Sequence, residues 1–233
     1  VKYPMFRSDK RRPVITMINP KSPISEGYRT LRTNIQFSSV DKHYQTLMIT
    51  SSEPMEGKST TINNLAVVYA QMNKKVLLID ADLRKPTAHH TFQVSNRHGL
   101  TDLITNQCSL EMAIKETDIP NLYILTAGSI PPNPSEILAS QKMSGQLDEL
   151  KELFDFILID TPPVLAVSDA QIIATKCDGV ILVVDAGKVK RELVQKAKSS
   201  LEFVKAHILG VVLNKISQKE IANSYSYYGG EVE

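Results

Sequence analysis

The run Ser52-Glu53-Pro54-Met55-Glu56-Gly57-Lys58-Ser59-Thr60 sets a glycine, a lysine and two hydroxyls at the spacing that a chain of phosphates requires. A triphosphate needs many donors in a tight arc, and consecutive backbone N–H groups at a helix N-terminus supply them. The main chain around Pro54, Met55, Glu56 and Gly57 would form that arc. Lys58 can then reach the β and γ phosphates, the Ser59 hydroxyl can ligate Mg²⁺, and Thr60 is placed to touch the α phosphate. Against the pattern G-x-x-x-x-G-K-[ST], Ser52 takes the place of the first glycine, and Met55 stands where another glycine is common. A Cβ at either position restricts positive φ, which predicts a tighter loop or a weaker grip on nucleotide.

Two apolar runs end in acidic residues that suit the same site. Residues 75–80 (KVLLID) end in Asp80, with Asp82 and Arg84 just beyond; residues 156–160 (FILID) end in Asp160. In an open parallel sheet, ligands bind outside the carboxyl ends of the strands, so both runs deliver carboxylates to the edge where the loop lies. Mg²⁺ takes oxygen ligands, keeps several waters and is held by few carboxylates. Asp160 is assigned to the Mg²⁺ shell, directly or through water, and Asp82 is a second ligand on the metal side. Asp80 is the candidate to accept a hydrogen bond from an incoming hydroxyl. Tyr225, Tyr227 and Tyr228, in a tail without apolar periodicity, offer such hydroxyls. A free tyrosine ionises only near pH ~10. Phosphoryl transfer has a loose transition state, so Asp80 would orient the hydroxyl more than deprotonate it.

The elements that position these residues follow from periodicity. Residues 45–50 read as a buried strand, and 59–72 as a helix with Ile62, Leu65 and Ala66 on one face. Ser22 and Pro23 start an earlier helix with Ile24, Tyr28, Leu31 and Ile35 at core spacing. Glu26, Arg29 and Arg32 form a charged stripe on a neighbouring face of that helix. Such a stripe either meets solvent or pairs with another copy of the chain, a heterologous contact that can close a ring. Residues 84–99 read as a polar connection. Short helical segments follow at 100–104 and 110–116, then a strand at 121–126. Asn133, Pro134 and Glu136 predict a capping box, with helical spacing continuing to about residue 153. Helix 169–175, strand 179–184, helix 192–205 and strand 208–213 complete the alternation. The fold class is therefore α/β, a parallel sheet flanked by helices on both faces. Asn214 follows the last strand, where its amide can read an adenine edge.

Length and composition bound the rest. A chain of 233 residues with 42% hydrophobic residues can bury one α/β core. The expected division is a basic arm at 1–20, a P-loop domain at 21–216 and a tyrosine-rich tail at 217–233. A net charge of only +2 argues against a general nucleic-acid binder. Cys108 and Cys177 lie in no metal or CxxC spacing, which points to a reducing, cytoplasmic compartment. No apolar run approaches the roughly 20 residues needed to cross a bilayer, and no stretch reads as a secretory signal peptide, so neither a span nor a secretory signal is expected. Membrane association would then come through a partner or surface charge.

Taken together, these motifs resemble the bacterial tyrosine kinases (BY-kinases) of capsule and exopolysaccharide synthesis, over about residues 19–231. The loop 52–60, the family's A′ motif at Leu77-Leu78-Ile79-Asp80-Ala81-Asp82-Leu83-Arg84, the Walker B run Leu158-Ile159-Asp160-Thr161-Pro162-Pro163 and the interface motif of Glu26, Arg29 and Arg32 carry the resemblance. It implies a P-loop NTPase fold of the MinD/ParA kind and an ATP- and Mg²⁺-dependent protein-tyrosine kinase. The kinase would autophosphorylate its tail in trans within a homo-oligomeric ring. It also implies a membrane modulator (a polysaccharide co-polymerase) whose cytoplasmic tail activates the kinase. Other expected partners are protein substrates such as sugar-nucleotide enzymes, with no nucleic acid. The place of action would be the inner face of the plasma membrane. The alternatives are a ParA/MinD-like ATPase switch, which would want a signature lysine where Glu53 stands, or a nucleotide-gated scaffold of a membrane polysaccharide complex.

Overall fold

The apolar runs become the centre of one sheet. In chain order its strands are Thr46–Ser51 (β1), Val76–Asp80 (β2), Ile114–Glu116 (β3), Leu122–Leu125 (β4), Phe156–Asp160 (β5), Gly179–Asp185 (β6) and Ile208–Asn214 (β7). They lie in the order β3-β4-β2-β5-β1-β6-β7. The structure, a computed structural model, describes residues 14–38 and 44–216; Tyr225, Tyr227 and Tyr228 lie outside the described residues. Every residue of β1, β2, β5 and β6 is buried, as expected of strands covered on both faces.

Helices cover the two faces. They are Ile15–Ile18 (α1), Pro23–Phe37 (α2), Lys58–Ala70 (α3), Ala88–Phe92 (α4), Leu100–Ile104 (α5), Leu110–Ala113 (α6), Pro134–Ala139 (α7), Gln141–Leu153 (α8), Asp169–Ala174 (α9) and Arg191–Phe203 (α10). Side chains alternate along each strand and so build two cores. Leu47, Ile49, Leu78 and Leu158 pack with Ile62 and Leu65 of α3 and Ile35 of α2. Met48, Leu77, Ile79 and Ile159 point the other way, to Leu103, Leu138, Leu147, Ile173 and Leu201. Among the described residues no helix is long and apolar enough to cross a membrane.

Several expectations needed correcting. The sheet is not wholly parallel, because β3 pairs antiparallel with β4 at the edge. Residues 110–116 accordingly split into α6 and β3. The polar connection 84–99 contains α4. The helix expected to run from 134 to 153 breaks at Ser140, whose backbone is extended and whose Oγ accepts from Met143 N at 3.2 Å to start α8. Asn133 does not cap α7; its amide donates to the Glu136 carboxylate instead. Ile24, placed on the core side by its spacing, is 62% exposed. The folded unit also begins earlier than residue 21. Thr16 of α1 is fully buried, and its N–H and hydroxyl both donate to Asn64 Oδ1 on α3 at 3.0 Å. An N-terminal arm would therefore end before Val14, itself a core residue.

Candidate active site

Strand register brings the acidic residues together. β2 and β5 are parallel neighbours, with Asp80 directly opposite Asp160 at their carboxyl ends. Asp160 is also in register with Ile49 of β1, the strand that feeds the loop. The lysine of that loop completes the set. Lys58 Nζ lies 3.1 Å from Asp82 Oδ2, 3.4 Å from Asp160 Oδ1 and 3.2 Å from Ser59 Oγ.

Electrostatics at this point are governed by desolvation. Burial alone would lower the Lys58 pKa, but Asp160 and then Asp82 raise it above its usual value. Asp160 is also raised, because burial at the strand end outweighs the pull of Lys58 and the Ser59 hydroxyl. The two shifts look opposed, since a good ion pair should lower the acid. They agree once the cost of burying the carboxylate is counted. Asp80 is wholly buried, and burial, then the charge of Asp160, pushes it to about 7.

Asp80 is tied into the fold through one of its oxygens. Its Oδ2 accepts from the N–H groups of Thr87 at 2.8 Å and Ala88 at 2.9 Å, at the start of α4. Its Oδ1 is buried and has no hydrogen-bond partner among the described residues. The carboxylate that ends β2 therefore also anchors the start of α4.

The phosphate loop is shaped by glycine in one place and by strain in another. Gly57 has φ +97°, and a Cβ there would lie 2.0 Å from Asn214 Nδ2. Met55, by contrast, is a non-glycine residue at φ +69° with its side chain 87% exposed. The loop reaches its shape despite the Cβ, at a cost of about 1–2 kcal/mol for an L-residue in this region. Met55→Gly is expected to stabilise the loop by about 1 kcal/mol and to tighten ATP binding several-fold; a titration of both proteins with ATP checks it. Beyond Gly57, the first intrahelical bond is from Thr61 N to Gly57 O at 2.9 Å. Helix geometry therefore leaves the N–H groups of Lys58, Ser59 and Thr60 free for an anion.

Asn214 does not stand clear for a base, as its position had suggested. Its Nδ2 donates to Glu56 O at 2.9 Å, and its Oδ1 accepts from Lys215 N at 2.9 Å. Its amide packs onto the loop because Gly57 leaves room for it. Glu26 and Arg29 form an i,i+3 ion pair of 2.8 Å, and Arg29 also donates to Pro20 O at 2.7 Å. Arg32 Nε is buried and has no hydrogen-bond partner among the described residues. The tail tyrosines are not among the described residues.

Three contributions escaped the motif reading. The Glu56 side chain, 2% exposed, accepts from Glu53 N and Asp185 N. Lys215 reaches both Met55 O and Asp185 Oδ2. Arg84 Nε and Nη2 grip the buried Asp169, which Ser135 Oγ also contacts at 2.6 Å. An acidic side chain in a loop built for anions is a signal in itself, since it must turn away from the ligand. Asp185, like Asp80 and Asp160, ends a buried strand.

The residues fit a nucleotide with Mg²⁺. Two carboxylates, Asp82 and Asp160, flank one ammonium, and Asp80 lies opposite Asp160 at the strand ends, so a divalent cation would relieve the excess negative charge. Ser59, Asp82 and Asp160 would hold it, and the cation would supply charge neutralisation at the phosphates.

A family model described as an AAA domain matches residues 44–213. The chain is 49% identical to the tyrosine-protein kinase YwqD of Bacillus subtilis (strain 168), over 95% of this chain and 93% of that protein. Its structure is similar to that of the chimerical protein CapA2B2, with a TM-score of 0.86 and 42% identity over 88% of this chain and 90% of the other. The cell division ATPase MinD of Pyrococcus furiosus is more distant, with a TM-score of 0.65 and 26% identity over 79% of this chain and 80% of the other.

Proposed function

The chain belongs to the bacterial tyrosine kinase (BY-kinase) family and is a protein-tyrosine kinase on a nucleotide-binding P-loop fold, and from that premise we propose that it phosphorylates its own tail in trans. The acceptors would be Tyr225, Tyr227 and Tyr228, and the reaction would regulate capsular or extracellular polysaccharide synthesis. The observation that carries this reading is the meeting of Lys58, Asp82 and Asp160 within 3.4 Å at one strand edge. ATP is held by the loop and Lys58, with the γ-phosphoryl group facing the carboxylates. Asp80 Oδ1, the unpartnered oxygen, accepts a hydrogen bond from the tyrosine hydroxyl and orients it in line. Lys58 neutralises charge on the equatorial oxygens as the tyrosine oxygen bonds to the γ phosphorus and the bond from that phosphorus to the ADP oxygen breaks, the tyrosine proton being released to solvent.

The acceptor tail enters a neighbour's site within a ring, and the Glu26, Arg29 and Arg32 stripe of α2 faces that neighbour. Charge repulsion from several phosphates would release the tail and open the ring. The cytoplasmic tail of a membrane modulator activates the kinase at the inner face of the plasma membrane, and enzymes that handle sugar nucleotides are among its substrates.

Incubation of the purified chain with Mg²⁺ and ATP, followed by mass spectrometry, tests the central statement. Phosphate on Tyr225, Tyr227 or Tyr228 is the expected result; phosphate elsewhere alone would remove the tail from the scheme. Replacing Arg29 and Arg32 by Ala should shift the assembly to smaller species in light scattering. An unchanged mass would return the stripe to solvent.

A further inference from the structure

A loop that turns its N–H groups toward phosphates turns its carbonyls outward, and those carbonyls need donors of their own. Here three of them, those of Glu53, Met55 and Glu56, are met by side chains from behind. Ser51 Oγ donates to Glu53 O at 2.7 Å, Lys215 Nζ to Met55 O at 2.6 Å, and Asn214 Nδ2 to Glu56 O at 2.9 Å. One loop N–H, that of Glu53, points backward as well, to Glu56 Oε1 at 2.5 Å. The other oxygen of that carboxylate accepts from Asp185 N at 3.0 Å, which ties the loop to the end of β6. Lys215 ties it a second time, since its ammonium also lies 2.7 Å from Asp185 Oδ2.

Backbone strain marks the same contact. Met55 has φ +69° and Lys215 has φ +58°, both in the left-handed region that side chains disfavour. Two such residues joined by one short bond persist only where the surroundings hold them. We propose that Glu56 and Lys215 are positioning residues: from behind the loop they fix the curvature that aims its N–H groups at the nucleotide phosphates. ATP affinity would thereby depend on the end of the last strand, the point from which the chain continues toward its tail. The inference rests on reading residues 52–60 as the nucleotide loop.

The test uses the full chain as wild type, Lys215→Met, Lys215→Arg and Glu56→Gln. A fluorescent ATP analogue gives affinity, steady-state kinetics give KM and kcat for ATP, and thermal melts report folding. Lys215 is half-exposed, so Lys215→Met should melt close to the wild type. Its affinity for the analogue should fall about tenfold, the loss for one charged hydrogen bond. KM should rise by a similar factor and kcat should change far less. Lys215→Arg should recover most of the affinity, because a guanidinium can still bridge a carbonyl and a carboxylate. Glu56→Gln offers its amide NH₂ where an N–H already points and should also weaken binding. Wild-type affinity in Lys215→Met, or an arginine variant as weak as the methionine one, would overturn the proposal. A wild type that binds the analogue but yields no phosphotyrosine would instead sink the kinase scheme, and the brace would still be judged on affinity.

Discussion

Lys58→Met is expected to reduce the initial rate of tyrosine phosphorylation by about 10²–10³-fold or more, the usual loss when one preorganised charge at a transition state is removed. The same substitution should cost stability in the metal-free protein. Lys58 is the ammonium within reach of Asp82 and Asp160, whose side chains are 9% and 4% exposed. Without it those carboxylates face each other and Asp80 in a desolvated corner, and breaking a buried pair costs about 3 kcal/mol. The loss has a pH sign. Asp80 is raised from its unfolded value to about 7, by burial and then by the charge of Asp160. A raised carboxyl contributes stability that is fully present below the unfolded pKa and lost as the pH rises through the folded one. Lys58→Met should therefore melt nearer the wild type at about pH 5.5, where Asp80 is protonated, than at about pH 8.5. Melts at both values in the presence of a chelator check this, alongside phosphosite counting. Undiminished labelling would remove Lys58 from the site; an equal melting deficit at both values would remove the carboxylate repulsion.

What the sequence revealed of this site was whatever depends on strand ends. Asp80 and Asp160 close their runs, and parallel register does the rest. The loop and α3 were legible because a glycine at φ +97° and an apolar helix leave little choice. What escaped lies on the far side of the loop or across long separations. Glu56 and Asp185 are 129 residues apart, and nothing local to either reports the contact. The break at Ser140 was hidden because apolar spacing continues across it, whereas a single serine hydroxyl ends one helix and starts the next. Edge strand β3 is only three residues long and too short for an alternation to register. Asn214 was read for its free amide, but only the packed structure shows Gly57 making room for it.

Arg84→Ala is expected to destabilise the protein by about 2–3 kcal/mol, which for a chain of this length is a fall in melting temperature of roughly 5–10 °C. Asp169 is fully buried at the start of α9, and Arg84 presents two nitrogens to it at 2.9 and 3.1 Å. Removing the guanidinium leaves a buried carboxylate with only Ser135 Oγ, and α7 and α9 lose the link that holds both to the end of β2. Arg84 itself is 39% exposed, so water can enter and the lower part of the range for buried pairs applies. The companion variant Asp169→Asn separates charge from packing. If the unpaired charge is the cause, Arg84→Ala combined with Asp169→Asn should be less destabilised than the sum of the two single variants. Additive losses would mean that the arginine stabilises through its stem alone. Activity should fall with stability here, because Arg84 follows Asp82 in a turn closed by Lys85 N donating to Asp82 Oδ1 at 3.1 Å. A variant that melted with the wild type yet lost phosphorylation would move Arg84 from scaffold to site.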